Sequence, residues 1–201
     1  MDADFLAAAE RLLGAKGLTR APEDIAPWLV DWRGRYQGKA AALASPASNE
    51  EVAALVQLAA HHRVPLVPQG GNTSMVGGAT PGSDGNALIV SLRRLRRLRL
   101  LDAEAGVAVA EAGVILSELH DAARAANMRF PLSLGAKGSA TIGGLCATNA
   151  GGMQVLRFGT MRALVLGIEA VLPDGSVLDS LAPLAKDNRG PDLKQLLIGA
   201  E

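Results

Sequence analysis

The sequence predicts an α+β fold. Helix and strand signals alternate without regular βαβ spacing, and the apolar runs that read as strands are short and bounded by turn residues. Twelve of the 23 glycines cluster, six between 70 and 85 and six between 135 and 152. Glycine clusters of this kind mark connections in which the backbone itself is exposed.

The elements follow in order. Residues 5–13 read as a short Ala/Leu helix that ends near Gly14 and Gly17, and residues 19–45 read as irregular, broken by Pro22, Pro27, Gly34 and Gly38. Ser48 and Glu51 form a capping-box pattern that opens a helix over 49–62, with Val52, Leu55, Val56 and Ala59 as its apolar stripe. Val64–Pro68 reads as a buried strand, and so do Ala87–Leu92 and the alternating pair Val107 and Val109. Ile115–Asn127 reads as an amphipathic helix, and residues 131–152 as a long glycine-punctuated connection. Leu164–Leu172 and Val177–Leu178 flank Pro173-Asp-Gly-Ser176, where Pro presets φ and Gly supplies a positive φ, so this stretch is a hairpin. Pro191 and Asp192 start a last helix that reaches Leu197. The expected organisation is an N-terminal helical and irregular segment (1–45), a first subdomain (46–100) and an incomplete second subdomain (101–201), with a boundary near residue 100.

Composition narrows the function classes. The chain is 49% hydrophobic and only 3% aromatic, so its core is built from Ala, Leu and Val. The formal net charge is zero, which argues against nucleic acid or an acidic membrane as the main partner. No apolar run is long enough to span a bilayer, and the acidic start at Asp2, Asp4 and Glu10 is unlike a signal peptide. The one cysteine, Cys146, precludes an intramolecular disulfide, so a reducing cytoplasm is the expected setting. His61, His62 and His120 have no metal-ligand spacing, and no metal is expected. Arg93-Arg-Leu-Arg-Arg-Leu-Arg99 reads as a solvated face with Leu92, Leu95 and Leu98 behind it, since no aromatics stand ready to stack on bases.

The glycine loops carry the chemistry. Pro68-Gln-Gly-Gly-Asn-Thr-Ser-Met-Val-Gly-Gly78 follows a strand and offers successive backbone N–H groups from residues with small side chains, a concave anion site. The expected contacts are the backbone of Gly70, Gly71 and Asn72 and the hydroxyls of Thr73 and Ser74. With Gly135–Gly144 and Asn149–Gly152 as further loops, a long diphosphate ligand fits better than one small anion. Neither G-x-G-x-x-G nor G-x-x-x-x-G-K-[ST] occurs, which excludes the usual dinucleotide and P-loop arrangements.

Pro68–Gly78 resembles the pyrophosphate loop of FAD-linked oxidases of the vanillyl-alcohol oxidase (PCMH) type. Asp31-Trp-Arg-Gly-Arg-Tyr36, Pro131–Ser139, Thr148–Gly152 and Lys186–Gln195 follow in an order similar to the D-2-hydroxyglutarate, D-lactate and glycolate dehydrogenase branch. The resemblance covers roughly residues 28 to 201. It implies a PCMH-type domain of two α/β subdomains with FAD between them, C-terminally truncated. The implied cofactor contacts are Pro68, Gln69, Gly70, Gly71, Asn72, Thr73, Ser74, Gly77, Leu134, Gly135 and Gly138, with Ser139, Thr141, Ile142 and Gly143 along the pyrophosphate and ribityl chain, and Asn149, Ala150 and Gly152 against or near the flavin ring. Positions 72 and 74 are Asn and Ser where some relatives place a flavin-linking histidine, so FAD is expected to be non-covalent. Leu145 stands where relatives often have Asn, and Arg189 and Pro191 stand where the family loop usually has Thr and Tyr. The implied reaction is oxidation of a small 2-hydroxy acid by hydride transfer to flavin N5. No catalytic base or carboxylate-binding set is found in the chain. These jobs are expected of a C-terminal cap domain or of a partner chain, the latter making this a non-catalytic FAD module.

Overall fold

The structure is a computed structural model that describes residues 2–181 and 190–201. The chain divides into two compact units, Met1–Leu95 with Val171–Val177, and Arg96–Ala170 with Leu178–Glu201.

In the first unit, α1 (Ala3–Leu13) begins at Asp2, whose carboxylate accepts the Asp4 amide, and stops at Gly14 with φ +70°. β1 (Leu18–Thr19), α2 (Pro22–Ile25), a 3-10 turn (Ala26–Trp28) and β2 (Ala42–Ala44) follow. This corrects the expectation that residues 19–45 are irregular. α3 (Asn49–His62) has the expected bounds: the Ser48 hydroxyl accepts the Glu51 amide at 3.2 Å, and the Glu51 carboxylate accepts the Ala47 amide at 2.7 Å. β3 (Leu66–Gln69) and β4 (Leu88–Ser91) complete a four-stranded sheet of order β1-β2-β4-β3. β2 and β3 both run parallel to β4, so α3 is the crossover that parallel strands require. Central β4 is buried along its whole length, which is why its sequence is a continuous apolar run.

The sheet alternates. Ala42, Ala44, Leu88 and Val90 face a core built with Phe5, Leu55 and Ala59 of α1 and α3. Leu43 and Ile89 face the other way and pack with Ile25. Each large side chain buried here contributes roughly 1.5–3 kcal/mol.

In the second unit, β5 (Leu98–Asp102) pairs antiparallel with β6 (Val107–Ala110), with an irregular register between Leu98 and Leu100. α4 (Leu116–Ala125) follows, with the Glu118 carboxylate accepting the Ile115 amide at 3.0 Å. The connection 131–152 is not loop throughout. It contains α5 (Ile142–Ala147), started by the Thr141 hydroxyl. α6 (Val155–Phe158) and α7 (Met161–Leu164) precede the hairpin of β7 (Ile168–Val171) and β8 (Val177–Ser180), whose turn is counted with the first unit and places Gly175 at φ +82° as expected. α8 (Lys194–Leu197) ends the chain. Val114, Leu116, Leu119, Leu132, Ile142 and Leu145 form the centre of this unit's core.

Candidate functional site

The first glycine loop leaves the end of β3. Gln69 is 2% exposed, and its Nε2 donates to the carbonyls of Trp28 (3.0 Å) and Ala79 (2.7 Å). Its amide nitrogen therefore closes the base of the loop, while its Oε1 is buried with no partner among the described residues. Asn72 sits in the left-handed region at φ +50°, and its Nδ2 donates to the Val30 carbonyl at 2.8 Å. Gly77, at φ +79°, lies under the Tyr36 ring, and a Cβ there would come within 2.9 Å of Tyr36 Cδ2. Pro68 is exposed, and Gly70, Gly71, Thr73 and Ser74 are partly exposed. Among the described residues, the amides of Gly71, Asn72, Thr73 and Ser74 donate to no protein acceptor. The Gln69 and Asn72 side chains thus hold the loop's shape, and the amides of residues 71–74 are left without a protein acceptor.

The second loop divides into two parts. Ile142 N donates to Val114 O (2.9 Å), Gly143 N to Ala112 O (2.8 Å), and Gly144 N to the Thr141 hydroxyl (3.3 Å). Thr141 and Ile142 are buried, and a Cβ on Gly143 would sit 2.7 Å from Ala112 Cβ. The amides at the start of α5 are thus bonded inside the fold, so any contact of Thr141, Ile142 or Gly143 along a ligand would come from other atoms. Gly135 and Gly138 differ. An added Cβ would meet nothing within 4 Å at either, and no positive φ requires glycine. Among the described residues, the amides of Gly135, Ala136 and Gly138 also have no protein acceptor. Exposed Ser139 stands beside them, while Leu134 packs against the core. A glycine that neither packing nor backbone conformation demands leaves room for something to approach the main chain closely.

Asn149, at φ +46°, is also occupied. Its Oδ1 accepts the Arg162 amide at 2.9 Å, and Gly199 packs on its Cβ. Gly152 lies against Ser133, whose carbonyl oxygen would be 2.2 Å from an added Cβ, and Ala150 packs with the core. Leu145 is buried, so the side chain that replaces the family's Asn fills the core. Sequence reasoning missed Arg162, whose guanidinium donates to the carbonyls of Gln195 and Ile198 and so ties down α8. No local pattern signals such a partner in sequence. Lys186–Arg189 lie outside the described residues.

The arginine run is paired. Arg96 bonds Glu118, Arg97 bonds buried Glu111, Arg99 bonds Glu169, and Arg94 donates to Ser45 O at 2.8 Å. Leu95 is buried behind it. Burial alone would raise the Glu111 carboxyl, but the Arg97 amide and the Arg97 and Arg99 guanidinium groups outweigh it, and the net shift is downward. Burial pushes the Cys146 thiol up to about 11, which suits a packing residue and not a nucleophile. Among the described residues no cluster of His, Cys, Asp or Glu could hold a metal ion, and no helix is long and apolar enough to cross a membrane.

Two glycine loops with amides that lack a protein acceptor among the described residues stand on this α+β chain, and comparison with known proteins gives its class. Residues 40–180 match the family model described as FAD binding domain, and the chain belongs to that family. It is similar to the mitochondrial D-2-hydroxyglutarate dehydrogenase of Bos taurus, 44% identical over 198 residues, covering 98% of this chain and 36% of that protein. The mitochondrial D-2-hydroxyglutarate dehydrogenase of Arabidopsis thaliana is 39% identical over 201 residues, covering 100% of this chain and 36% of that protein. The solved structure of an alkyldihydroxyacetonephosphate synthase superposes with a TM-score of 0.85 at 21% identity, over 100% of this chain and 36% of that one. The fold is that of the PCMH-type FAD domains, and FAD is the cofactor. The chain spans about 36% of the length of these relatives. The cytoplasmic setting is corrected: both relatives are named as mitochondrial proteins. A lone cysteine is compatible with any reducing compartment and does not single one out.

Proposed function

We propose that this chain is the FAD-holding part of a flavin-dependent 2-hydroxy-acid dehydrogenase. The reading is carried by the unbonded amides of the two glycine loops, together with the similarity to D-2-hydroxyglutarate dehydrogenases. Bound FAD supplies a hydride acceptor for oxidation of the substrate α-carbon. Gly71, Asn72, Thr73 and Ser74 hold part of the diphosphate through backbone N–H groups, with the Thr73 and Ser74 hydroxyls as further donors. Gly135, Ala136, Gly138 and Ser139 give a second set of contacts, again mainly through the main chain. Asn149, Ala150 and Gly152 lie against or near the flavin ring, with the Asn149 Oδ1 already engaged by the Arg162 amide. No histidine lies in the first loop, so the cofactor is held non-covalently.

The groups that take the hydroxyl proton and hold the substrate carboxylate are assigned to the part of the relatives that this chain does not span. The test is an anaerobic spectrum of FAD-loaded protein, first of these 201 residues and then of a protein extended to the relatives' length. D-2-hydroxyglutarate or another small 2-hydroxy acid is expected to bleach the flavin band of the extended protein and to leave the shorter one oxidised. Bleaching of the 201-residue chain would contradict the assignment of the substrate groups. An extended protein that binds FAD but is bleached by no 2-hydroxy acid favours a non-catalytic FAD module that works with a partner subunit.

A further inference from the structure

The first glycine loop has a companion. Residues 28–38 form a tight turn whose centre is Asp31, only 4% exposed. Its carboxylate accepts the amides of Tyr36 (2.7 Å) and Arg33 (3.2 Å), and its own amide donates to the Tyr36 carbonyl at 3.0 Å. Gly34 at φ +68° makes the reversal, and Val30 pairs antiparallel with Gln37. Three contacts join this turn to the glycine loop. Gln69 Nε2 donates to Trp28 O, Asn72 Nδ2 donates to Val30 O, and the Tyr36 ring lies on Gly77. None of them uses the amides of residues 71–74. The contacts therefore fix the loop and leave its anion donors free.

A bare glycine loop samples many conformations, and ordering it would be charged against ligand affinity. Tyr36 is 48% exposed, so the ring gains little by burial, yet it occupies the one place that a side chain at position 77 would need. We infer that the Asp31-centred turn is a brace that preorganises the glycine loop for a diphosphate ligand, with Tyr36 as its positioning residue. The inference rests on the reading of this loop as part of the FAD site, and it assigns a share of the affinity to a segment outside both glycine loops.

Tyr36→Ala and Tyr36→Phe in the full 201-residue chain test it through two readouts. One is FAD affinity, measured by quenching of flavin fluorescence. The other is thermolysin cleavage before exposed Val76 in the absence of FAD. Tyr36→Ala is expected to weaken FAD about tenfold, the size of one lost ordering contribution, and to speed cleavage by a similar factor. Tyr36→Phe should match the wild type in both. Asn72→Gly, which removes the bond to the Val30 carbonyl, suits the positive φ and adds no charge beside the anion donors, should reproduce the Ala phenotype and serves if Tyr36→Ala does not fold. Wild-type affinity in both disruptive variants would overturn the brace. Weakened affinity with unchanged cleavage would overturn it too, because Tyr36 would then act by touching the ligand. If the wild-type chain takes up no FAD, the flavin reading fails and cleavage alone decides, with faster cutting supporting the brace and unchanged cutting refuting it.

Discussion

A methyl group added to Gly143 would lie 2.7 Å from the Cβ of Ala112 and 3.1 Å from its Cα and carbonyl oxygen. None of these three atoms is the end of a flexible side chain. Gly143→Ala is therefore expected to destabilise the second unit by about 1–3 kcal/mol, measured by urea unfolding, through overpacking. Stability equal to the wild type would contradict the close approach of α5 to Ala112. This residue shows what a sequence conceals. Gly135, Gly138, Gly143 and Gly152 look alike in a glycine-rich string, but two face open space and two are pressed against neighbours. Gln69, Asn72 and Asn149 stand among the cofactor contacts that the resemblance implies. Their side chains serve the protein, because a residue type shows what can bond and not to whom.

At the scale of elements, α3 was legible to the residue, since a Ser cap, a Glu three positions on and an apolar stripe agree with one another. β4 was legible as an apolar run. β2 was not, because Ala42-Leu-Ala44 is too short to show a period, and its neighbours β1 and β4 make it a strand. α5 was hidden by Gly143 and Gly144, poor helix formers whose amides are satisfied from outside the helix and by its cap. β5 was hidden at the end of an arginine run, and its own Arg99 bonds Glu169 far along the chain. Glu111 binds across β5 and β6, with Oε2 2.7 Å from the Arg97 amide and Oε1 2.9 Å from its Nε. Its folded carboxyl titrates below the ordinary range, so its stabilisation is complete above the unfolded value of about 4.3 and is lost as pH falls through the folded value. Glu111→Ala is expected to cost about 1.5–3 kcal/mol at pH 7 and to flatten the decline of stability with acid below pH about 4, read from melting temperature against pH. An unchanged acid profile would show that the decline comes from other carboxylates.

At the scale of the molecule, the α+β class and the flavin family were legible because five segments stand in order along the chain, and spacing of that kind survives without any knowledge of contacts. The compartment was not legible, since composition does not distinguish one reducing environment from another. The central claim is that free main-chain amides in the two glycine loops hold FAD. A ligand that binds only the folded chain stabilises it by mass action, about 2.7 kcal/mol at a hundred times its Kd, so uptake and stability can be read together. The most direct test uses Gly138→Val, at an exposed position where an added Cβ meets nothing within 4 Å and no positive φ requires glycine. Wild type and variant are incubated with FAD and desalted, their spectra are recorded, and their melting curves are taken with and without FAD. The wild type is expected to retain a flavin band near about 450 nm and to melt at a higher temperature with FAD. Gly138→Val is expected to melt unchanged without FAD and to lose most of its flavin. Full retention of FAD by Gly138→Val, or no retention by the wild type, would overturn the claim.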